Sequence, residues 1–253
     1  MGKVTVPGCI NWTNVAVLVL TLLANGLIAG PPYLTDDPDP VEFHHWEFYL
    51  SSQNLFATSH NIASGSLPQV EINYGVIPNV QLHVVIPAAY NFNSPDQLEI
   101  GYPYTELGVK YRFVKEKPNL PEIGVFPIFE VPVVTDNRFG SENIQIYLPL
   151  WIQKSWKKLT TYGGGGFWFT PGPGNKNWIF TGWEVQYDFT DLLTMGTEVY
   201  YHTATTYTEM ATAGLNVGGS LNFSEHIHFI FSLGHSFVNQ NFITSYAGLY
   251  LTY

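Results

Sequence analysis

Nine ionisable side chains sit at alternate positions of segments that otherwise read as apolar: Glu47, Glu71, Glu106, Lys110, Arg112, Glu130, Glu184, Glu198 and His202. Counted from the nearest tight turn, Glu47, Glu71, Lys110 and Glu184 fall at about the same depth in their segments, which predicts a shared belt. Charged rings at a constriction select ions and polar solutes, and this is one chemistry such a belt can perform. The same groups can instead pair with one another and fill a small interior. Spacing alone leaves both open.

Catalysis is the competing chemistry, and the spacing does not supply it. On an extended segment two side chains share a face only at i and i+2. His235 and Ser236 are adjacent and point apart, while His60 and Ser64 fall in a connection, so neither pair sets a base beside a nucleophile. His226 and His228 have the required spacing, but two His are a fragment of a metal site. The run GGGG at 163–166 lacks the Lys and the strand-to-helix context of a phosphate loop, and reads as a stretch of strand that leaves room for bulky neighbours. In the acidic TDDPDPVE, Pro38 and Pro40 break the ligand spacing of a calcium loop. No catalytic residue, metal or cofactor is assigned; residues 31–43 are expected to form a periplasmic lead-in or a lumen plug.

The elements that position these side chains follow from composition and period. Only 12% of the 253 residues are charged and 16% are aromatic, yet mean hydropathy is +0.03, so the chain is apolar without being continuously apolar. An excess of 20 acids over 10 bases excludes a basic nucleic-acid binder, and a single Cys excludes a disulfide framework. Lys3 is the only charge before Asp36, and VAVLVLTLLA at 15–24 is followed by the small residues of NGLIAG. That order predicts a secretory leader over 1–30 with cleavage between 26 and 30.

Beyond residue 44 the period is two. Strands are expected near 44–57, 68–75, 79–90, 99–114, 122–134, 143–156, 159–170, 177–188, 192–205, 209–223, 226–237 and 242–253, separated by Gly, Pro, Asn, Asp or Ser clusters. Ile144, Ile146, Leu148, Leu150 and Ile152 share one face and Gln145, Tyr147 and Gln153 the other. Roughly 19 residues per strand and connection suits tilted membrane strands with short turns. Hydrocarbon offers no hydrogen-bond partners, so the twelve strands must close into an antiparallel barrel without edges. The even count places both termini at one end. Trp46, Trp156, Trp168 and Trp178 are expected in interfacial girdles, and Tyr147 and Trp151 in the lumen. The interior prolines Pro127, Pro132 and Pro149 each remove a ladder donor and predict a lateral opening between the fifth and sixth strands.

The final GLYLTY resembles the recognition signal that the last strand of Gram-negative outer-membrane barrels presents to the barrel-assembly machinery. More specifically, GPPYLTDDPDPVEFHHWE (30–47), VEINYGVIPNVQLH (70–83), TELGVKYRF (105–113), LPLWIQKSW (148–156), TTYGGGGFWFTPGPGNKNW (160–178) and NFSEH (222–226) resemble the phenol-degradation meta-pathway family of exported proteins. The resemblance departs at His44, where the family often has Gly before the HWE triplet. It implies an outer-membrane barrel over 44–253 with a transport role, and it implies no catalytic residues. The expectation is a monomeric outer-membrane conduit for passive uptake of small, hydrophobic or aromatic molecules, in contact with outer-membrane lipids and not with nucleic acid. An outer-membrane lipid hydrolase and a non-conducting structural barrel are the alternatives.

Overall fold

Alternation of β-branched and aromatic residues with polar ones lets a strand bury one face and expose the other. In the computed structural model this pattern forms strands throughout the described residues, which are 31–57, 62–94, 97–133, 139, 141–239 and 241–253. The leader expected over 1–30 lies outside them. The strands are β1 (Trp46–Ala57), β2 (Ile62–Ile77), β3 (Val80–Ser94), β4 (Gln97–Gly101), β5 (Tyr104–Val114), β6 (Glu122–Val125), β7 (Ile128–Pro132), β8 (Gln145–Trp156), β9 (Leu159–Phe169), β10 (Trp178–Asp188), β11 (Leu193–His202), β12 (Thr212–Asn222), β13 (Ile227–Val238) and β14 (Phe242–Thr252).

Fourteen segments make twelve staves. The Val80–Val85 half of β3 pairs with β5 and its Ala89–Ser94 half with β4, so β4 and β5 form one stave broken at Tyr102–Pro103. Likewise β6 and β7 both pair with β5 and with β8, and form one stave broken at Phe126–Pro127. In both places a proline stands at the break. Antiparallel pairing of β1 with β14, from Glu47 opposite Thr252 to Ala57 opposite Phe242, closes the ring. The chain is therefore a closed twelve-stranded antiparallel barrel, and no helix occurs among the described residues.

Three strand expectations shift. The second strand begins at Ile62 rather than 68, because a register shift between Ser66 and Gln69 lets pairing continue past Leu67 and Pro68. The fourth and fifth strands are each interrupted rather than continuous. The tight turns after β2, β8, β10 and β12 share one end with both barrel termini, where Trp46 and Tyr253 exchange backbone hydrogen bonds. The three longest connections, after β7, β9 and β11, lie at the other end.

Inward and outward faces separate cleanly. Leu148 and Leu150 are about half exposed on the outside, whereas Tyr147 and Trp151 on either side of them are buried inside. Trp46 and Trp156 face outward at 41% and 53% exposure. Trp168 and Trp178 do not: they share the inward parity of Tyr162 and Phe180, and Phe167, Phe169 and Ile179 take the outward positions beside them. The expectation of a girdle role fails for these two because depth along a strand does not decide its face.

Candidate functional site

The chain passes from barrel to lumen at His44, whose φ of 68° lies in the left-handed region that favours glycine. Its backbone N–H donates to Gly75 O at 2.8 Å. From there residues 41 back to 32 run inside the ring, clamped on two opposite walls. On one, Val41 N–H donates to Gln81 Oε1 at 2.9 Å. Arg112 bonds Asp39 and also reaches Glu122 at 3.2 Å. The Lys110 ammonium lies 3.0 Å from Asp36 and 3.5 Å from Asp37. On the other wall, Glu198 accepts the N–H groups of Thr35 at 2.5 Å and Leu34 at 3.2 Å, together with Asn216 Nδ2 at 2.5 Å. Ser232 Oγ donates to Pro32 O at 2.7 Å.

Burial raises the stakes of these contacts. Thr35 and Asp37 are fully buried, and burial pushes the Asp37 carboxyl well above its ordinary range against the pull of Lys110. Burial also raises Asp39, which Arg112 opposes. The barrel wall is thinned where the segment lies: a Cβ at Gly182 would run into Thr35, and one at Gly124 would meet Pro38 at 3.0 Å. Gly182→Val is therefore expected to unseat residues 33–37 while leaving the barrel closed. The readout is a raised ion leak through reconstituted protein whose heat-modifiable gel migration is unchanged; an unaltered leak would show that Thr35 simply turns aside.

The nine ionisable residues face inward but do not form one belt. Glu47 accepts from Tyr49 at 3.1 Å and Tyr250 at 2.7 Å. Glu71 takes Asn73 Nδ2 at 2.9 Å and lies 3.6 Å from His83. His83 bonds Glu106 at 2.8 Å, and Glu130 sits directly opposite Glu106 in the ladder. Glu184, opposite Glu198, is fully buried, and neither of its oxygens has a hydrogen-bond partner among the described residues. His202 stands edge-on to Trp178 at 5.6 Å. Equal counts from a turn are not equal heights in a barrel whose strands tilt and stagger, so the belt disperses into separate clusters.

Above the inserted segment, toward the long-loop end, lies a cavity of about 630 Å³. Leu34 and Asp36 contribute to its lining, and of the nine predicted residues only His202 does. One wall is aromatic. Tyr147, Trp168 and Trp178 occupy one register row of β8, β9 and β10 and stack, with centroids 4.8 and 5.4 Å apart and planes within 11°. Trp151, Phe180, Tyr200 and Phe126 pack against this ladder. The glycine run lets the β9 backbone lie close to its neighbours: a Cβ at Gly164, at φ 148°, would run into the Leu150 carbonyl and come within 3.0 Å of the Trp151 ring. The facing wall carries Gln53, Asn54, Ser66, Gln69 and Thr244.

The same cavity abuts a fault in the barrel wall. β6 pairs with β8 up to Val125 opposite Leu150, and β7 resumes at Ile128 opposite Tyr147 in the same register. Between them Phe126 and Pro127 face Pro149 and Leu148 without a ladder pairing. On the β5 side the ladder is kept by Val109 N–H donating to Pro127 O at 3.1 Å. Phe126 is buried at the inner side of the fault, with Lys110 over its ring at 5.1 Å and His83 edge-on at 5.0 Å. Pro132 lies elsewhere, at the end of β7 opposite Tyr104.

Sequence reasoning missed the partners. Asp36, Asp37 and Asp39 read as a solvated acidic run as readily as a plug, and nothing local marks Asn216, Glu122 or His83 as members of these clusters. At His235 and Ser236 the rival hydrolase geometry is not assembled: His235 is exposed, whereas Ser236 is buried and bonds Phe242 N–H at 3.0 Å. Of the other pair, Ser64 lies in β2 and His60 outside the described residues. No group of three or more His, Cys, Asp or Glu that could hold a metal occurs among the described residues.

Neither a protein-family model nor a curated protein matches the sequence. Solved structures match the fold, and these are outer-membrane β-barrels. A crystal structure of an outer-membrane channel from Pseudomonas putida F1 superposes with a TM-score of 0.71 at 11% identity, covering 86% of this chain and 98% of that one. The KdgM porin gives 0.57 at 13% identity over 80% and 98%, and the NanC porin 0.57 at 8% over the same shares. At these identities the likeness is one of fold.

Proposed function

We propose that this protein is a monomeric outer-membrane channel for passive uptake of small apolar or aromatic molecules. The observation that carries the reading is the aromatic-walled cavity seated on the inserted segment. A stacked Tyr and Trp ladder opposite amide and hydroxyl groups gives a planar apolar molecule an aromatic face to lie on and polar groups to meet its substituents. Barrels of this fold that are called channels and porins support the class. In the bilayer the short-turn end faces the periplasm and the loops face outward.

With residues 32–41 below the cavity, a straight axial route is obstructed. The ladder fault at Phe126 and Pro127 is the thin point of the wall, and an apolar permeant gains by leaving there, since each buried methylene contributes about 0.8 kcal/mol. The inward charges then serve to anchor the segment rather than to filter ions.

The experiment is a permeation screen in proteoliposomes across neutral aromatics, alkanes and sugars, with Trp168→Ala beside the parent protein. Aromatic uptake should exceed sugar uptake. The variant should lose about two- to tenfold in aromatic flux, as for one removed stacking partner. Equal fluxes of all solutes, unchanged by Trp168→Ala, would reject an aromatic conduit, and hydrolysis of a phospholipid ester would favour the enzyme.

A further inference from the structure

Charge on the outer wall is confined to one sector. Among the described residues, the outward positions of the strands carry one charged side chain, Lys154 of β8, which alternates with buried Trp151 and Gln153 and follows outward Ile152. It lies near the short-turn end, where a long side chain can reach the interface. There its ammonium bonds Glu116 Oε1 and Lys117 O, each at 2.7 Å, joining the connection after β5 to the rim beside β8. Lys115, Lys117, Lys157 and Lys158 are exposed on the two connections this contact brings together. The rest of that rim is neutral or acidic: Pro78 and Asn79 after β2, Asp188 at the end of β10 and Asp191 after it, and Glu225 after β12. A chain with a formal charge of −10 thus gathers five lysines and one acid, the half-buried Glu116, in one place.

The wall next to this cluster is aromatic. Tyr111 and Phe113 of β5 and Trp156 of β8 face outward at 46%, 48% and 53% exposure. Aromatic rings at headgroup level with lysines just beyond are the two halves of a lipid contact, one for the acyl chain and glycerol and one for phosphate. Resting on the membrane-spanning reading of the barrel, we propose that this sector is a binding site for an anionic glycerophospholipid of the leaflet at the short-turn end. Its phosphate would be held between Lys115, Lys117, Lys157 and Lys158, and its chains would lie along Tyr111, Phe113 and Trp156. Charge complementarity selects the headgroup, because a zwitterionic lipid presents its own ammonium to the lysines.

The test places the full-length protein in phosphatidylcholine nanodiscs containing a minority of spin-labelled phosphatidylglycerol or spin-labelled phosphatidylcholine, and reads the motionally restricted fraction. The parent should favour phosphatidylglycerol by at least about fivefold, the factor that one basic residue supplies near a charged surface. That preference should shrink toward unity in high salt and in the combined Lys115→Gln, Lys117→Gln, Lys157→Gln, Lys158→Gln variant, and persist in Lys176→Gln at the opposite end. Equal restriction of both lipids by a correctly inserted parent overturns the proposal, as does an unchanged preference in the fourfold variant. Loss of preference on adding inorganic phosphate, beyond that caused by chloride of equal ionic strength, would assign the lysines to free phosphate instead. If the fourfold variant does not insert, the salt dependence of the parent decides. Failure of the parent to insert at all would count against the membrane reading and leave a different signature from an inserted barrel without lipid preference.

Discussion

Lys110→Gln is expected to open the lumen. Lys110 is the cation shared by Asp36 and Asp37, it is buried itself, and Asp37 is fully buried beside it. Removing one partner of a buried ion pair costs about 3–5 kcal/mol, because the remaining charge is left unpaired in a poorly solvated place. Residues 32–41 can escape that cost by leaving the barrel, whereas the wall cannot. Single-channel conductance should therefore rise from a small leak to sustained open events, with the heat-modifiable migration of a folded barrel retained. Lys176→Gln, at the long-loop end, should leave the leak unchanged. Acid should reclose the variant, and the sign follows from Asp37. Burial raises its carboxyl in the docked state, so the docked form binds the proton more tightly and gains on the released form as pH falls through that raised value. Lys110, Asp36 and Asp39 are the charges facing it. A variant that conducts no more than the parent at any pH would show that the remaining contacts, Arg112 to Asp39, Gln81, Glu198 and Ser232, hold the segment without Lys110.

A disulfide across the wall fault should stop apolar uptake. Pro127 and Leu148 face each other across the interruption between β6–β7 and β8, on the outward side, so Pro127→Cys with Leu148→Cys adds no bulk to the cavity. Cross-strand positions directly opposite have Cβ atoms about 4.5–5.5 Å apart, and small adjustment brings them to bonding distance. Uptake of a neutral aromatic should fall by about tenfold or more when the bridge forms, as expected if the lateral step contributes at least about 1.4 kcal/mol, and should return on reduction with dithiothreitol. The residual ion leak should not change. An oxidised protein that transports as well as the reduced one would remove the fault from the route and leave the long-loop end and the lumen as the path.

Much of the architecture was legible without coordinates because it depends on period two. Ile144 to Ile152 declare an outward face, and Gln145, Tyr147 and Gln153 an inward one, whatever the strand pairs with. The even number of staves, the tight turns at one end and the inward position of Trp151 all follow from local spacing. The prolines were legible as weaknesses in a ladder, and Pro103 and Pro127 stand at the two places where staves break. Trp168 and Trp178 were misread because aromatic content near a strand end says nothing about parity, while counting from Tyr162 and Phe180 would have turned both inward.

What the sequence determined by itself was a chain of amphipathic strands that can satisfy its backbone in a membrane only by closing on itself, with its charges on the inner face. Only the tertiary structure decided which of those charges meet. Barrel tilt sends Glu47, Glu71, Lys110 and Glu184 to different neighbours although they stand equally far from their turns. Chain reversal at His44 carries Asp36, Asp37 and Asp39 back to Lys110 and Arg112, some seventy positions later in the sequence. Glu198 receives the other side of the same segment from more than 160 residues away. Such pairings depend on closure of the ring, a property of the whole chain, and no local pattern of residues encodes them.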